Sequence, residues 1–289
     1  MIKTTESHIV PKRCASIRLQ EYGVGIFNAF PTKSALKKAL KKNYISVNGV
    51  TATSATYING GETITLSVPK NEPPKKRLIF KLTVLFEDDY LAVIHKPGGI
   101  LVSGNHFKTI ANALIQNLKP SPLEDATQPQ PVHRLDFATT GILLIGKTSS
   151  SIRALNKLFE DRTIKKTYYA VTIGKMKTEG SITTEVDEKP CKSNYKVHQT
   201  VSSQRFEQLN LVELEPFTGR RHQLRKHLSG IGNPILGDKD YGKKPLILNG
   251  KGLYLHAYSL KFTHPFTNEA FYIKDEFPLN FKKLFDVLQ

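Results

Sequence analysis

The chain has 289 residues, room for two domains and a sizeable core, and its 39% hydrophobic content is that of a globular rather than a disordered protein. Lys and Arg number 42 against 25 Asp and Glu, a net charge of +17 that suits a phosphate backbone, since each neutralised phosphate releases counterions. No stretch of 18 apolar residues exists and residues 1–10 lack a secretory apolar core, so neither a membrane span nor a signal peptide is predicted. Cys14 and Cys191 are lone and distant, which fits a reducing cytoplasm without a disulfide framework. Paired-cysteine, His-Glu-x-x-His and phosphate-loop motifs are missing, so no metal and no cofactor is expected.

Along the chain, Thr32 is placed to cap a helix running to about Lys42. Ala35, Leu36, Ala39 and Leu40 repeat at helical spacing, while Lys33, Lys37, Lys38, Lys41 and Lys42 fill the other positions without an adjacent carboxylate. Ile45 and Val47 alternate into Asn48-Gly49, a hairpin signal, and Ile64, Leu66 and Val68 form a second alternating strand. Residues 69–77 are proline-rich and charged with no hydrophobic period, and read as an extended linker. The predicted division is residues 1–68, a linker over 69–80, and a larger domain over 81–289. The first 80 residues are more than twice as basic per residue as the remainder.

Leu82–Phe86 and Leu91–His95 read as strands joined by the turn Glu87-Asp88-Asp89. Lys96-Pro97-Gly98-Gly99 is turn chemistry. Residues 109–118 suggest a helix with Ile110, Leu114 and Ile115 on one side, and residues 119–131, with four prolines, a loop. Asp136 follows Arg134 by two residues and precedes a polar turn, Thr139 to Gly141, and then the apolar run Ile142–Ile145. Such a run bounded by glycines predicts a fully buried strand, so the acid sits on a rigid loop at the edge of a core. An arbitrary aspartate there more often caps a turn and pairs with its neighbouring arginine. Ser149 or Ser150 can cap a helix to about Asp161 that faces the core with Ile152, Leu155, Leu158 and Phe159, and Ile164–Ile173 follows as a strand. Alternation puts Tyr168 and Ala170 on one face of that strand and Tyr169 and Val171 on the other. Thr218 and Gly219 suit a helix start, with Leu224 and Leu228 on one face and Arg221 and Arg225 on another. His222 and His227 are five residues apart, poor geometry for two metal ligands on one helix.

Residues 133–144, His-Arg-Leu-Asp-Phe-Ala-Thr-Thr-Gly-Ile-Leu-Leu, resemble the signature of RluA-type RNA pseudouridine synthases, His-Arg-Leu-Asp-x-x-Thr-Ser-Gly-Leu-Leu-Leu. They depart at Thr140, where Ser is usual, and at Phe137, where a basic residue is common. Thr218-Gly219-Arg220-Arg221-His222-Gln223-Leu224-Arg225-Lys226-His227 matches the family's second signature, and Lys166-Thr167-Tyr168 its Lys-x-Tyr pattern. The likeness covers about residues 82–278, and residues 16–68 resemble an S4-like RNA-binding module, with Arg18-Leu19-Gln20 in place of the usual Arg-Leu-Asp.

The resemblance implies an isomerase of α+β fold, with a mixed, largely antiparallel sheet preceded by a small S4-like α/β module. It implies Asp136, Tyr168 and Arg225 as catalytic residues, Arg225 pairing with the aspartate. His133, Arg134, Arg220, Arg221, His222 and Gln223, with Lys33, Lys37, Lys38 and Lys41 of the module, are the residues expected to bind substrate RNA. The partner is ribosomal or transfer RNA, and the protein is expected to be a cytoplasmic monomer. Pseudouridine formation breaks the C1′–N1 bond, turns the base and joins C5 to C1′ without consuming water, so the paired acids of glycoside hydrolases are not needed. One ionised carboxylate serves as nucleophile or as electrostatic partner at C1′, and a guanidinium keeps it charged. The residues leave open whether it attacks C1′ or takes the C2′ proton. A base inside a helix must be flipped to reach the pocket. A non-catalytic RNA-binding protein is disfavoured by the presence of Asp136, Tyr168 and Arg225 together, and a hydrolase by the lack of a second well-placed acid.

Overall fold

In the computed structural model all residues are described except 1–2, 28–29, 31, 70–77, 249 and 289. The chain divides into two compact units, residues 1–76 and 77–289. Most of the expected linker lies outside the described residues. Its last residues, however, belong to the larger unit, because Leu78 and Phe80 pack on that unit's core. No helix among the described residues is long and apolar enough to cross a membrane.

The smaller unit comprises β1 (Lys3–Ile9), β2 (Ile17–Arg18), α1 (Leu19–Tyr22), α2 (Lys33–Lys41), β3 (Ile45–Val47), β4 (Val50–Thr51), β5 (Tyr57–Ile58) and β6 (Thr63–Pro69). Thr32 caps α2 by accepting from the Ala35 amide at 3.2 Å, and Leu36, Ala39 and Leu40 bury its apolar stripe. Asn48 and Gly49 take the positive φ that a two-residue hairpin between β3 and β4 requires. The sheet order is β1-β6-β3-β4. Strand β1 was not predicted: Lys-Thr-Thr-Glu-Ser-His-Ile carries almost no apolar signal and is extended only because β6 supplies a ladder. The lysines of α2 are not all unbalanced either, since Lys33 lies 2.6 Å from Glu21.

The larger unit begins with β7 (Thr83–Glu87), β8 (Leu91–Lys96), α3 (Ile110–Ala113), β9 (Ala126–Pro131), β10 (Thr140–Thr148), α4 (Ser149–Glu160) and β11 (Lys165–Ile173). It continues with β12 (Glu179–Ile182), β13 (Ser193–Ser203), β14 (Glu207–Pro216), α5 (Gln223–Gly230), β15 (Leu255–Thr263), β16 (Ala270–Lys274) and α6 (Leu279–Lys282). The sheet runs β12-β13-β14-β11-β15-β10-β8-β7, with β16 beside β15 and β9 beside β10. Its pairings are antiparallel except β10 with β15, so the fold is α+β with a mixed, largely antiparallel sheet.

The run Ile142–Ile145 is buried on both faces. Leu143 and Ile145 join one hydrophobic cluster with Ala92 and Ile94, while Ile142 and Leu144 join the opposite one with Leu91 and Val93. Three expectations need correction. The helix over 109–118 is a single α-turn that tightens into a 3-10 turn at Leu114–Gln116, which leaves Ile115 about half exposed. Residues 126–131 are a strand rather than loop: β9 pairs with β10 alone, so Pro129 and Pro131 remove no N–H that a second neighbour needs. The cap of α4 is Thr148, in a reciprocal box with Ser151, instead of a serine one or two residues later.

Candidate active site

Asp136 lies in the loop that leads from β9 into β10, and that loop is fastened from three directions. Lys96, the last residue of β8, is fully buried, and its Nζ donates to the carbonyls of Pro97 at 3.0 Å, Phe137 at 3.2 Å and Thr139 at 2.8 Å. The Gly99 amide donates to Phe137 O at 2.8 Å, and the Thr139 amide closes a turn onto Asp136 O at 3.1 Å. Thr140 Oγ1 lies 2.9 Å from Nδ1 of the buried His256. Burial pulls the Lys96 pKa from 10.5 to about 8, opposed by the nearby charge of Asp136. The sequence marked Lys96 only as part of a turn. A lysine beside a glycine pair carries no sign that its ammonium will be buried among carbonyls of a segment 40 residues away.

The seam where β10 meets β15 is short: Thr140 pairs with His256 and Gly141 with Ala257. Gly141 has φ +110°, and a Cβ there would sit 2.2 Å from Ala257 O. Only glycine allows this approach. Next across the sheet, β11 brings Tyr168 to the same edge, its ring packed against the clusters on both sides of the seam. Burial, and secondarily the charge of Asp136, push the Tyr168 hydroxyl well above the usual phenol range, so it stays protonated at neutral pH.

Helix α5 contributes Arg225. Its Nε donates to Asp238 Oδ2 at 2.8 Å, and Nη2 donates to Asp238 Oδ1 and to Asp240 Oδ2, both at 2.7 Å. The remaining edge, Nη1, faces Asp136 Oδ2 at 3.8 Å. The expected pairing with Asp136 is therefore present but loose, and the tight partner is the buried Asp238. Burial works against the Arg225 charge, yet the bonds to Asp238 and Asp240 outweigh it and hold its pKa above the ordinary value. Asp238 falls within the stretch of family likeness, residues 82–278, with no role of its own expected. The Asp136 side chain is 28% exposed, so the free site stands open to water.

One of the expected substrate contacts lies elsewhere than the helix on which the spacing put it, and two turn inward. Helix α5 starts only at Gln223, because His222 turns left-handed with φ 56°, so Arg221 sits on the exposed preceding loop and not one turn before Arg225. Gln223 is buried and consumed internally. Its Oε1 accepts from Thr218 Oγ1 at 2.6 Å and from the Arg220 amide at 3.1 Å, and its Nε2 donates to Lys192 O at 3.0 Å and Ser193 Oγ at 2.9 Å. It shapes the loop and has no hydrogen-bonding capacity to spare. His133 stacks on Phe159, and its Nε2 accepts from the Leu144 amide at 2.9 Å. Burial first, and then Lys166, lower its pKa to about 3. It is a neutral acceptor inside the fold.

What the fold brings together is a pocket of about 100 Å³ whose wall includes Arg134, Asp136, Tyr168, Arg220, His222 and Arg225. His222 Nε2 lies 3.8 Å from Asp136 Oδ1, and its Nδ1 is 3.0 Å from the Tyr241 hydroxyl. Burial holds His222 below the usual histidine pKa against the pull of Asp136. Thr139 and Arg220, both on this wall, carry buried polar atoms, Oγ1 and Nε, without a hydrogen-bond partner among the described residues. Lys33, Lys37, Lys38 and Lys41 belong to the other unit, on the exposed face of α2.

Residues 90–230 match the family model described as RNA pseudouridylate synthase. An uncharacterized RNA pseudouridine synthase of Aquifex aeolicus is 31% identical over 288 residues, covering 90% of this chain and 91% of its own length. Ribosomal large subunit pseudouridine synthase D of Nitrosomonas europaea is 30% identical over 286 residues, covering 90% of this chain and 81% of its own. Among solved structures, human RNA pseudouridylate synthase domain containing 4 is similar with a TM-score of 0.56 at 27% identity, over 69% of this chain and 90% of its own. Human RNA pseudouridylate synthase domain containing 1 shares the fold, with a TM-score of 0.58 at 22% identity over 72% of this chain and 87% of its own. With relatives about 30% identical along nine-tenths of its length, this chain belongs to the RNA pseudouridine synthases, isomerases that act on RNA.

Proposed function

We propose that the enzyme isomerises a specific uridine of large-subunit ribosomal RNA, with Asp136 as nucleophile on a flipped-out base. The observation that carries the catalytic assignment is the shared pocket wall, which holds Asp136, Tyr168 and Arg225 together, with the free edge of the guanidinium 3.8 Å from the carboxylate. The choice of RNA rests on relatives named as large-subunit synthases C and D. A carboxylate oxygen takes up C1′ as the electron pair of the C1′–N1 bond leaves on the uracil. The base turns, C5 bonds to C1′ as the carboxylate leaves, and the C5 proton moves to N1 by way of the site. Arg225, locked by Asp238, keeps a positive charge beside Asp136 without moving during the cycle. The Tyr168 ring offers a face to the uracil, and its neutral hydroxyl takes part in proton transfer only by giving up its own proton as it accepts another. The lysine face of α2 supplies sequence-independent phosphate contacts, consistent with an S4-like role.

The test is to sequence carbodiimide-treated RNA from a strain lacking the protein and from the same strain carrying the wild type or Asp136→Asn. One pseudouridine in large-subunit RNA should vanish on deletion and return with the wild type but not with Asp136→Asn. Restoration by a folded Asp136→Asn protein would sink the nucleophile assignment, and loss of the mark from transfer RNA would correct the substrate.

A further inference from the structure

Beside the pocket of Asp136 lies a second cavity, a groove of about 360 Å³ whose wall includes Arg162, Lys165, Lys166, Pro216 and Phe217, with Glu215 its lone acid. The two spaces adjoin, because Pro216 at the end of β14 lines both. They also share β11, which presents Lys165 and Lys166 to the groove and Tyr168 to the pocket. The groove is basic and unneutralised: none of its three cations forms an ion pair among the described residues. Arg162 stands at the C-terminal turn of α4 with φ 58°, a left-handed position normally given to glycine. Its amide bonds Phe159 O and the next amide bonds Leu158 O, so the backbone of the turn is fixed and the arginine side chain starts from it exposed. Phe217 is 46% exposed although its amide is tied to Lys192 O at 3.0 Å, and Lys192 Nζ lies 5.1 Å from the ring centre. An apolar ring fixed by its backbone and left in water beside unpaired cations is the arrangement that binds single-stranded nucleic acid, base on aromatic and phosphate on cation.

We propose that this groove binds the nucleotide adjoining the target uridine in single-stranded RNA, with Phe217 stacking its base and Arg162 and Lys165 holding its phosphates. The inference rests on reading the Asp136 pocket as the uridine site. It assigns the neighbouring position to a stretch of RNA that is unpaired, since a paired base offers no free face to Phe217. Stacking tolerates any base, so the groove contributes affinity and register, and sequence choice only through stacking strength.

The experiment uses the full-length protein and bulk RNA from a strain lacking it, grown on [5-³H]uridine, with tritium release as the rate. Phe217→Ala should raise KM about tenfold, the loss of one base–aromatic stack, with kcat retained, because only binding common to the ground and transition states is removed. Arg162→Ala and Lys165→Ala should each lower the slope of log affinity against log salt by about 0.7. Lys196→Ala, an exposed change on β13 that lines neither cavity, should leave both quantities as they were. p-Benzoylphenylalanine at position 217 should, on irradiation, crosslink within a few nucleotides of the modified uridine. Wild-type KM and salt slope in all three groove variants, or crosslinks only at remote nucleotides or to protein, would overturn the groove while leaving the pocket intact. A wild-type protein that releases no tritium would remove the uridine site and the groove with it.

Discussion

Lys96→Met separates what holds the protein together from what holds Asp136 in place. Methionine keeps the unbranched apolar stem, one atom shorter, and removes the charge and its donors. Two opposing effects on stability follow. The fall of the Lys96 pKa from 10.5 to about 8 means that the fold disfavours the charged amine by about 3 kcal/mol at 1.36 kcal/mol per pH unit, a penalty the variant escapes. Against this, Pro97 O and Thr139 O lose their donor, at about 1–3 kcal/mol for each acceptor left buried without a partner. Phe137 O keeps the Gly99 amide. The sum is close to balance, so urea unfolding at pH 7 should shift by no more than about 2 kcal/mol. Turnover should fall by about a hundredfold, because an aspartate displaced by an ångström has lost its place in the reaction. Lys96 also predicts opposite pH responses. Between about 8 and 10.5 the unfolded chain holds the proton that the folded one has lost, so this residue makes stability rise with pH. Over the start of the same range the amine has two donors left for three carbonyls, and kcat of the wild type should fall. Tritium release from RNA labelled at uridine C5 measures kcat directly, since C5 gives up its hydrogen when it bonds C1′. Wild-type kcat in Lys96→Met, or a variant that keeps the alkaline loss above pH 8, would refute this role.

Arg225→Ala should abolish turnover and cost about 3–5 kcal/mol, because Asp238 is left buried without its counter-charge, and urea unfolding measures the loss. Arg221→Ala, on the exposed loop, should change stability by less than about 0.5 kcal/mol. Asp238 has its pKa held down, with the Arg225 bonds overcoming burial, so its contribution is present above the ordinary carboxylate range and is lost as pH falls below it; acid unfolding should begin at higher pH in Arg225→Ala. Tyr168→Phe should keep packing and RNA affinity but slow tritium release; an unchanged rate would leave the ring only a stacking role. Gly141→Ala should destabilise the larger unit by about 3 kcal/mol or more, seen as a lowered Tm, since its Cβ meets Ala257 O at 2.2 Å and the β10–β15 seam must part.

Sequence alone determined the local, periodic features. The stripe of α2, the Asn48-Gly49 hairpin, the doubly buried strand Ile142–Ile145 and the alternation that separates Tyr168 from Tyr169 each depend on neighbours a few residues apart, whose side chains repeat with the backbone period. The two signatures likewise marked Asp136 and Arg225, which share one pocket wall, because loop and helix-start residues are written contiguously. Tertiary structure decided the rest. β1 and β9 are strands only because β6 and β10 supply ladders from distant segments. The register of Lys96 beneath the Asp136 loop, the tight bond of Arg225 to Asp238, and the withdrawal of His133 and Gln223 into internal hydrogen bonds all join residues far apart in the chain. Burial of a polar group depends on which distant partner reaches it, and a residue's type is silent about that partner until the chain has folded around it.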